Sequence, residues 1–552
     1  MNAKQWVLRN CIPEETQSLA RDLSLSPITA AILMGRGLTT KEAARSWISG
    51  ESSVSHDPFL LPDMEQGVDR IHRALNEGEH ICFYGDYDVD GISATSIHLN
   101  YFGQYSSNLR SYIPQRLTEG YGLNEEAIRK LSKAGVSVLV TSDCGTTSFK
   151  EIEVAQGLGL DIIVIDHHQV PTEPPRPLAF LNPHRADSHY PFRDLCSGGL
   201  AYKVAEAYSL KFGEGKISVS SLKDLATLAT IADVVPLVDE NRDLVREGLT
   251  HLTESTRCGI RGLKEVLGID GPCTASTVGF RLAPVINAAG RLADAQLGVD
   301  LLTTDSEELA SQLAKRLQAL NLERRHIEQE VVREAQDGIG PYFADSAVVV
   351  GSKGWHAGVV GIVAARLVER YHRPAVVVAF NAEGLGRGSV RSVPGFDVCQ
   401  ALAACQDILE AFGGHAAAAG VTVQEDRFPL FQKKFCEAVM NLRGDHLPLP
   451  ELDIDTQVNL SDIHPKLIRE FELLEPFGMG NVEPTLLVAN LRILEHRIVG
   501  GDHLKLVVRQ QHSAPFEAIG FRMAKLASQL PSDSQCVDLA CVPELNQWKG
   551  YS

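Results

Sequence analysis

A chain of 552 residues has room for about three or four domains, and 44% hydrophobic with 22% charged residues is ordinary for a folded globular protein. The net charge of −18 excludes a molecule coated in positive charge, though not a local basic groove, because nucleic-acid binding depends on where Lys and Arg sit. Eleven cysteines, spaced singly with no CxxC pair, exclude a disulfide framework and a cysteine-built zinc site and fit a reducing cytosol. The opening MNAKQWVLRNCIPEETQSLA has no long apolar h-region, and no apolar run approaches the roughly 18–20 residues of a spanning helix. These features predict a cytoplasmic protein with no membrane segment.

Residues 1–55 read as a helical lead-in. ETQSLARDL, SPITAAILMGRG and TTKEAARSWISG begin at or beside a Ser or Thr able to cap a helix, and two end near Gly. DPFLLPDM and the amphipathic EQGVDRIHRALNEG follow. From residue 79 strands and helices alternate: HICFY, then GISATSIHLNYF; VSVLVT (136–141), then TSFKEIEVAQGLG; DIIVID (161–166) and LAFLN (178–182). Short β-branched runs between helices predict βαβ units around a buried parallel sheet. SLKDLATLATIADVVPL is expected as a helix running into a loop. Over 305–340, Leu309, Leu313, Leu317, Leu320, Ile327 and Val331 mark the stripe of one long helix, read as a rigid bridge between domains with a coiled coil as the alternative. A second α/β pattern comes next, with SAVVVGS, VVGIVAARLVERY and PAVVVAF. Beyond the linker HLPLPELDID the chain is β-rich, as in a small barrel.

The acids fall in a pattern. Asp86, Asp88 and Asp90 alternate just after HICFY, and without a counter-ion at least one would hold its proton. Asp143 follows VSVLVT, Asp166, His167 and His168 follow DIIVID, and Asp233 lies at the end of a helix. Ligands of a doubly wound sheet collect at the carboxyl ends of strands near a switch point, where these groups would converge. Asp is a common turn residue, but three such clusters in consecutive βα units exceed what turn chemistry supplies. Carboxylates with an imidazole and no thiolate suit Mn²⁺ or Mg²⁺. The carboxylates suffice for two ions about 3.5–4 Å apart, as in a two-metal hydrolase. Adjacent His167 and His168 cannot point the same way, so one is expected as a ligand and the other at the scissile phosphate or leaving oxygen.

D-Y-D-V-D-G, T-S-D-C-G, D-H-H and A-D-V-V-P-L, in this order, resemble motifs I to IV of the DHH phosphoesterases. G-W-H-A-G-V-V-G-I-V-A-A-R (354–366), G-S-V-R-S (388–392) and F-G-G-H-A-A-A-A-G (412–420) resemble the DHHA1 substrate-binding domain that accompanies them. Y-I-P-Q-R-L-T-E-G-Y-G-L (112–123), I-N-A-A-G-R-L (286–292) and P-F-G-M-G-N (476–481) are similar to the branch of that family that degrades single-stranded DNA. The resemblance implies an α/β fold with a parallel-sheet DHH domain (56–300), a long connecting helix (301–340) and a smaller α/β DHHA1 domain (341–445). An OB-like β-barrel (446–552) completes it.

The same resemblance implies Asp88, Asp90, Asp143, His167 and Asp233 as metal ligands, with Asp143 bridging two divalent ions, Mn²⁺ or Mg²⁺, and Asp86 close by. It places His168 at the reacting phosphate, with Asp143 and Asp166 counted beside it as catalytic. The implied activity is processive 5′→3′ hydrolysis of single-stranded DNA to mononucleotides in repair and recombination. The expected partners are single-stranded DNA, a helicase and a single-strand-binding protein, and the enzyme is expected to act as a monomer. Two departures stand out. Val285 takes the place of an arginine just before the I-N pair, while Arg291 is retained. The chain also stops at N-Q-W-K-G-Y-S, so the barrel is expected to lack its closing strand.

An exonuclease must hold a polyanion beside an acidic site. Ser389, Arg391 and Ser392 of G-S-V-R-S offer donors on a flexible turn, and an Arg fork matches phosphate geometry. Arg116, in a loop after a strand-like segment, could reach a 5′ phosphate, with Arg291 as a further cation. Gly413 and Gly414 permit close backbone approach to phosphates and His415 adds a donor; tight helix packing is the alternative for the alanines that follow. Trp355, His356, Tyr121 and Phe412 are candidate stacking faces for unpaired bases. A different substrate within the same family, such as an oligoribonucleotide, a cyclic dinucleotide or pyrophosphate, is the runner-up. A catalytically dead DNA-binding scaffold is a third reading, and the filled acidic positions speak against it.

Overall fold

Five short strands form a wholly parallel sheet in the larger part of the chain. Their spatial order is Leu109–Tyr112, His80–Gly85, Val136–Ser142, Asp161–Ile165 and Ala179–Leu181. The first strand in sequence is thus second in space, giving a 2-1-3-4-5 order whose switch point lies between His80–Gly85 and Val136–Ser142. Alternate side chains serve opposite faces. Ile81, Phe83, Val138, Val140 and Ile163 pack with residues of the helices Met64–Glu77, Val89–Phe102 and Ser197–Phe212. Cys82, Tyr84, Leu139, Ile162 and Val164 pack with the helices Glu125–Lys133 and Phe149–Gly157. Burial on both faces explains why these strands read as unbroken apolar runs.

This computed structural model describes residues 4–9, 13–50, 55–339, 346–443, 450–531 and 536–545. The chain divides into two units, one of residues 54–445 with 478–481, the other of 1–53, 446–477 and 482–552. In the larger unit the helix Glu307–Asp337 buries Leu313, Leu317 and Val331 of the expected stripe, but Leu309 is 43% exposed. The buried face also takes Asn321, Arg324 and Glu328, with Arg324 Nη1 donating to Glu328 Oε2 over 2.7 Å. A five-stranded mixed sheet follows, in the order Ala411–His415, Ala418–Gln424, Leu385–Arg391, Ala375–Phe380 and Val348–Lys353. F-G-G-H-A-A-A-A-G forms its edge hairpin, with Ala416 and Ala417 in the turn and Ala418 and Ala419 in a strand, so tight helix packing does not apply to the alanines.

In the smaller unit the helices Pro13–Leu23, Pro27–Gly35 and Lys41–Ser49 share a core with the C-terminal strands through Leu19, Ile32, Leu33, Leu467, Leu486 and Leu506. Ser26 and Thr40 cap the second and third helices with their hydroxyls. The strand Gln5–Leu8, absent from the sequence reading, pairs in parallel with Glu451–Ile454. The long strand Leu486–Val499 pairs with Thr456–Val458, His503–Arg509 and Val537–Cys541. Its two register shifts and the positive φ of Asn490 are bulges that bend it. Among the described residues Phe516–Gly520 pairs only with His503–Arg509. The expectation of a missing closing strand concerns the end beyond 545, outside the described residues. No helix among the described residues is long and apolar enough to cross a membrane.

Candidate metal centre

Each acidic group reaches the switch point for a local reason. Beyond Gly85 the chain turns at once into the Val89–Phe102 helix, and Asp88 is its N-cap, its Oδ1 accepting from Asp90 N at 3.0 Å and Gly91 N at 3.3 Å. Gly91 is required there, because a Cβ would lie 2.4 Å from Asp86 N. Asp90 is buried and accepts from Ser197 N at 2.8 Å and Gly198 N at 2.7 Å, where the Ser197–Phe212 helix presents its positive end. Asp143 leaves its strand with φ 65°, and Ser197 Oγ donates to its Oδ1 at 3.3 Å. Asp233 is the C-cap of the helix Lys223–Ala232.

His167 Nε2 lies 3.3 Å from Asp143 Oδ1 and 3.7 Å from both Asp90 Oδ2 and Asp233 Oδ2. Three overlapping groups result: Asp86, Asp88 and Asp143; Asp90, His167 and Asp233; Asp143, His167 and His168. Within each, one ligand atom per residue lies within 4.8 Å of the others. Asp143 belongs to two of them.

The electrostatics describe a site in need of positive charge. Burial, then Asp88, holds the Asp86 carboxyl well above the usual carboxylate range. Burial, then Asp90, Asp88, Asp86 and Asp233, does the same to Asp143. Asp233 is pushed up to about 9 by burial and then by Asp90 and Asp88. Asp86 Oδ1 is buried with no hydrogen-bond partner. An orphaned carboxylate oxygen among crowded acids and one imidazole fits hard divalent cations with oxygen preference.

Asp166 behaves in the opposite way. Burial alone would raise it, but the His168 hydrogen bond, 2.7 Å from Nδ1, draws it below the usual range, and Asp166 in turn lifts His168 to about 9 against the effect of burial. Its two oxygens also accept from His167 N at 2.8 Å, His168 N at 3.3 Å and Thr146 N at 3.0 Å. Asp166 therefore braces the D-H-H turn from behind, while His167 alone of the pair faces Asp90 and Asp233.

Several supporting contacts are not legible in the sequence. Tyr121, expected as a stacking face, donates from its hydroxyl to Asp143 O at 2.9 Å and lies 3.4 Å from both ring nitrogens of His168. Asn182 Nδ2 donates to His168 O at 2.9 Å, and Asn287 Oδ1 accepts from Val89 N at 3.1 Å. Asn287 and Gly290 lie in I-N-A-A-G-R-L, where a Cβ on Gly290 would meet Tyr87 O at 2.2 Å. The motif itself was a signal; nothing in its letters told which backbone it touches.

The expected strand-binding residues divide. The Arg116 guanidinium sits 4.8 Å over the ring of Tyr87, the residue between Asp86 and Asp88 in sequence. Burial and then Arg116 lower both Arg291, to about 10, and Arg391. Arg116 is therefore the cation that both Arg291 and Arg391 feel. Arg391 Nη1 donates to Ser389 Oγ at 2.8 Å, whereas the Ser392 hydroxyl donates to Phe396 O at 2.5 Å. Gly413, Gly414 and His415 lie on the exposed edge strand. Trp355 Nε1 donates to Glu334 Oε2 at 2.7 Å with its ring against a core cluster, and His356 Nδ1 accepts from Gly358 N at 3.1 Å. Val285 is fully buried in the catalytic core, so its side chain offers nothing to a ligand.

A parallel sheet that brings D-H-H and the other aspartate clusters to one switch point is the construction of a DHH phosphoesterase. Residues 80–232 match the model described as DHH family, N-terminal domain, 344–441 the DHHA1 domain and 454–552 the RecJ OB domain. The single-stranded-DNA-specific exonuclease RecJ of Bacillus subtilis is 36% identical over 549 residues, covering 99% of this chain and 69% of that protein. The RecJ of Escherichia coli is 32% identical over 578 residues, covering 99% and 97%. The crystal structure of RecJ in complex with Mn²⁺ from Thermus thermophilus superposes with a TM-score of 0.85 at 29% identity, covering 99% of this chain and 78% of that one. The Mg²⁺ complex from the same organism gives 0.80 at 28% identity, covering 99% and 76%. The chain belongs to the RecJ family.

Proposed function

We propose that this chain is a metal-dependent exonuclease that degrades single-stranded DNA from the 5′ end to mononucleotides, in repair and recombination. The observation that carries the reading is the acid cluster of Asp86, Asp88, Asp90, Asp143, Asp233 and His167, with its orphaned carboxylate oxygen, next to Arg116, whose charge acts on both Arg291 and Arg391. Those six residues would hold two divalent cations, Mn²⁺ or Mg²⁺, whose chemistry is to acidify a water and to stabilise charge on phosphoryl oxygens. Asp143 joins the two halves of the ligand set, and Tyr121 fixes its backbone. His168, kept protonated by Asp166, donates to the reacting phosphate or its leaving oxygen. Asp166 sets the angle and the charge of that ring and touches no substrate.

In this reading Arg391, Ser389 and Arg116 grip a 5′ phosphate, Arg291 adds charge behind them, and the backbone of Gly413 and Gly414 follows the strand with His415. Ser392 keeps the Arg391 turn in shape. Trp355 and His356 shape the loop beside Arg291. Residues 56–300 carry the chemistry, 301–340 bridge, 341–445 hold the strand end and 446–552 bind the strand, with 1–55 as the helical lead-in. A helicase and a single-strand-binding protein supply unpaired DNA in the cytoplasm, where the chain works as a monomer.

Long 5′-phosphorylated single strands, duplexes and dinucleotides incubated with Mn²⁺ separate this reading from its relatives. Mononucleotides released from the 5′ end of single strands support it; turnover of dinucleotides or pyrophosphate alone overturns it. Arg391→Ala is expected to cost about 1.5–3 kcal/mol of the preference for a phosphorylated over a hydroxyl 5′ end, the range of a lost charge-assisted bond. An unchanged ratio of kcat/KM for the two ends removes Arg391 from that role.

A further inference from the structure

P-F-G-M-G-N (476–481) has no part in the chemistry above, yet its last four residues, Gly478–Asn481, group with the catalytic unit, while the chain on either side belongs to the other unit. The four close on themselves, Gly478 N donating to Asn481 O at 2.9 Å and Asn481 N to Gly478 O at 3.2 Å. They meet the loop that descends from Asp233. Leu237 N donates to Met479 O at 2.7 Å. A Cβ on Gly478 would lie 2.7 Å from Leu237 Cδ1, and one on Gly480 would lie 3.2 Å from Pro236 Cβ and 3.4 Å from Val238 Cγ1. Gly480 also has φ 72°, a left-handed backbone that glycine adopts without strain. Both glycines are thus explained by one thing, the close seating of this turn on residues 236–238.

The loop has need of such a hold. Val234, the residue after Asp233, has φ 60°, which a β-branched side chain tolerates only when its surroundings enforce it. Val234 is itself 63% exposed, so its own side chain supplies little of that enforcement. Two contacts further along do. From the inner side, the fully buried Asn241 donates through Nδ2 to Pro236 O at 3.0 Å and to Asp194 O at 2.7 Å. Asp194 leads into Ser197 and Gly198, whose N–H groups hold Asp90. From the other side, the Met479 carbonyl takes Leu237 N.

We infer that the Gly478–Asn481 turn is a positioning element for the metal centre: by clamping residues 236–238 against Asn241 it holds Asp233 within reach of His167 and Asp90. The contact is made by backbone, so the Met479 side chain, 57% exposed, is dispensable, while the two glycines are not. This rests on the metal-centre reading above, and the test keeps the two apart.

The experiment is a titration of the full chain with Mn²⁺ followed by electron paramagnetic resonance, alongside thermal melting and the Mn²⁺ dependence of single-strand cleavage. Gly480→Val is expected to weaken Mn²⁺ binding by about 10–100-fold, the range for groups that orient a metal ligand, and to raise the Mn²⁺ needed for half-maximal rate equally. The rate at saturating Mn²⁺ should return towards that of the unsubstituted chain, which a merely structural defect would not allow. Gly478→Ala, a smaller intrusion against the flexible end of Leu237, should shift affinity in the same direction by less and serves if Gly480→Val fails to fold. Met479→Ala should bind Mn²⁺ as the unsubstituted chain does. Unaltered Mn²⁺ affinity in a folded glycine variant overturns the inference, as does a loss of rate that saturating Mn²⁺ does not restore. If the unsubstituted chain binds no Mn²⁺, the metal-centre reading falls first.

Discussion

Asp143→Ala is expected to abolish cleavage at any Mn²⁺ or Mg²⁺ concentration and to leave single-strand binding largely intact. The carboxylate of Asp143 is the group common to the Asp86–Asp88 and the His167–His168 sides of the cluster, and His167 Nε2 approaches it at 3.3 Å. Its loss removes a donor from both halves at once, so the drop exceeds the roughly 10–100-fold expected when a group merely orienting a ligand is removed. Added metal should not restore the rate, because in the proposed site the missing atom is a ligand and not an affinity-tuning neighbour. Binding should survive because Arg116, Arg291 and Arg391, the proposed phosphate contacts, are untouched and because the neutral alanine lessens the negative charge facing the strand. Cleavage near the unsubstituted rate would sink the assignment of Asp143. Loss of strand binding in parallel would show that the substitution had damaged more than the cluster.

Asp166→Ala carries the second large effect, for a different reason. Asp166 is buried and accepts from three backbone N–H groups as well as from His168 Nδ1. Each buried donor left unpaired costs about 1–3 kcal/mol, so the variant melts at a visibly lower temperature. The His168 ring at the same time loses both its orientation and the anion that raises its pKa. Cleavage should fall by about 10²–10⁴-fold, the usual worth of a positioned proton donor. His168→Ala serves as the comparison: it should lose a similar factor in rate with much less of the stability, since the His168 side chain is 47% exposed. Equal melting of Asp166→Ala and the unsubstituted chain would show that the brace behind D-H-H contributes nothing.

Much of the site was legible because its residues report on themselves. HICFY, VSVLVT and DIIVID end where the strands His80–Gly85, Val136–Ser142 and Asp161–Ile165 end, to within a residue, and the acids that follow stand where parallel strands deliver their ligands. The edge strand Leu109–Tyr112 was only hinted at, because L-R-S-Y has no fully buried residue and no apolar run. Leu309 was misplaced in the stripe of the long helix because periodicity cannot tell an apolar residue facing solvent from one facing the core; Arg324 and Glu328 take buried positions by satisfying each other.

What could not be read at all were contacts between segments distant in the chain. Ser197 and Gly198 hold Asp90 from 107 and 108 residues away, and Asn287 reaches Val89 across 198. Neither pair leaves a local pattern. For the hairpin of F-G-G-H-A-A-A-A-G the letters leave helix packing open, since alanine favours helices, but the ladder to Leu385–Arg391 decides the outcome.

The central claim is that the acids at the switch point form a site for two divalent cations, and a calorimetric titration of the full chain with Mn²⁺ in two buffers of different ionisation enthalpy tests it most directly. Asp233, raised to about 9, holds its proton in the metal-free chain near neutral pH, and burial with the neighbouring acids shifts Asp86 and Asp143 in the same direction. A carboxyl whose folded-state pKa is raised favours the folded state below its unfolded value, about 4, and that advantage is lost as pH rises through about 9. Metal-free protein should therefore melt at lower temperature as pH rises over this window, and cation binding should release protons and reverse the loss. The prediction is two Mn²⁺ per chain with net proton release, and a loss of both in Asp143→Ala. Absence of Mn²⁺ binding, or binding without proton release that Asp143→Ala leaves unchanged, would contradict it.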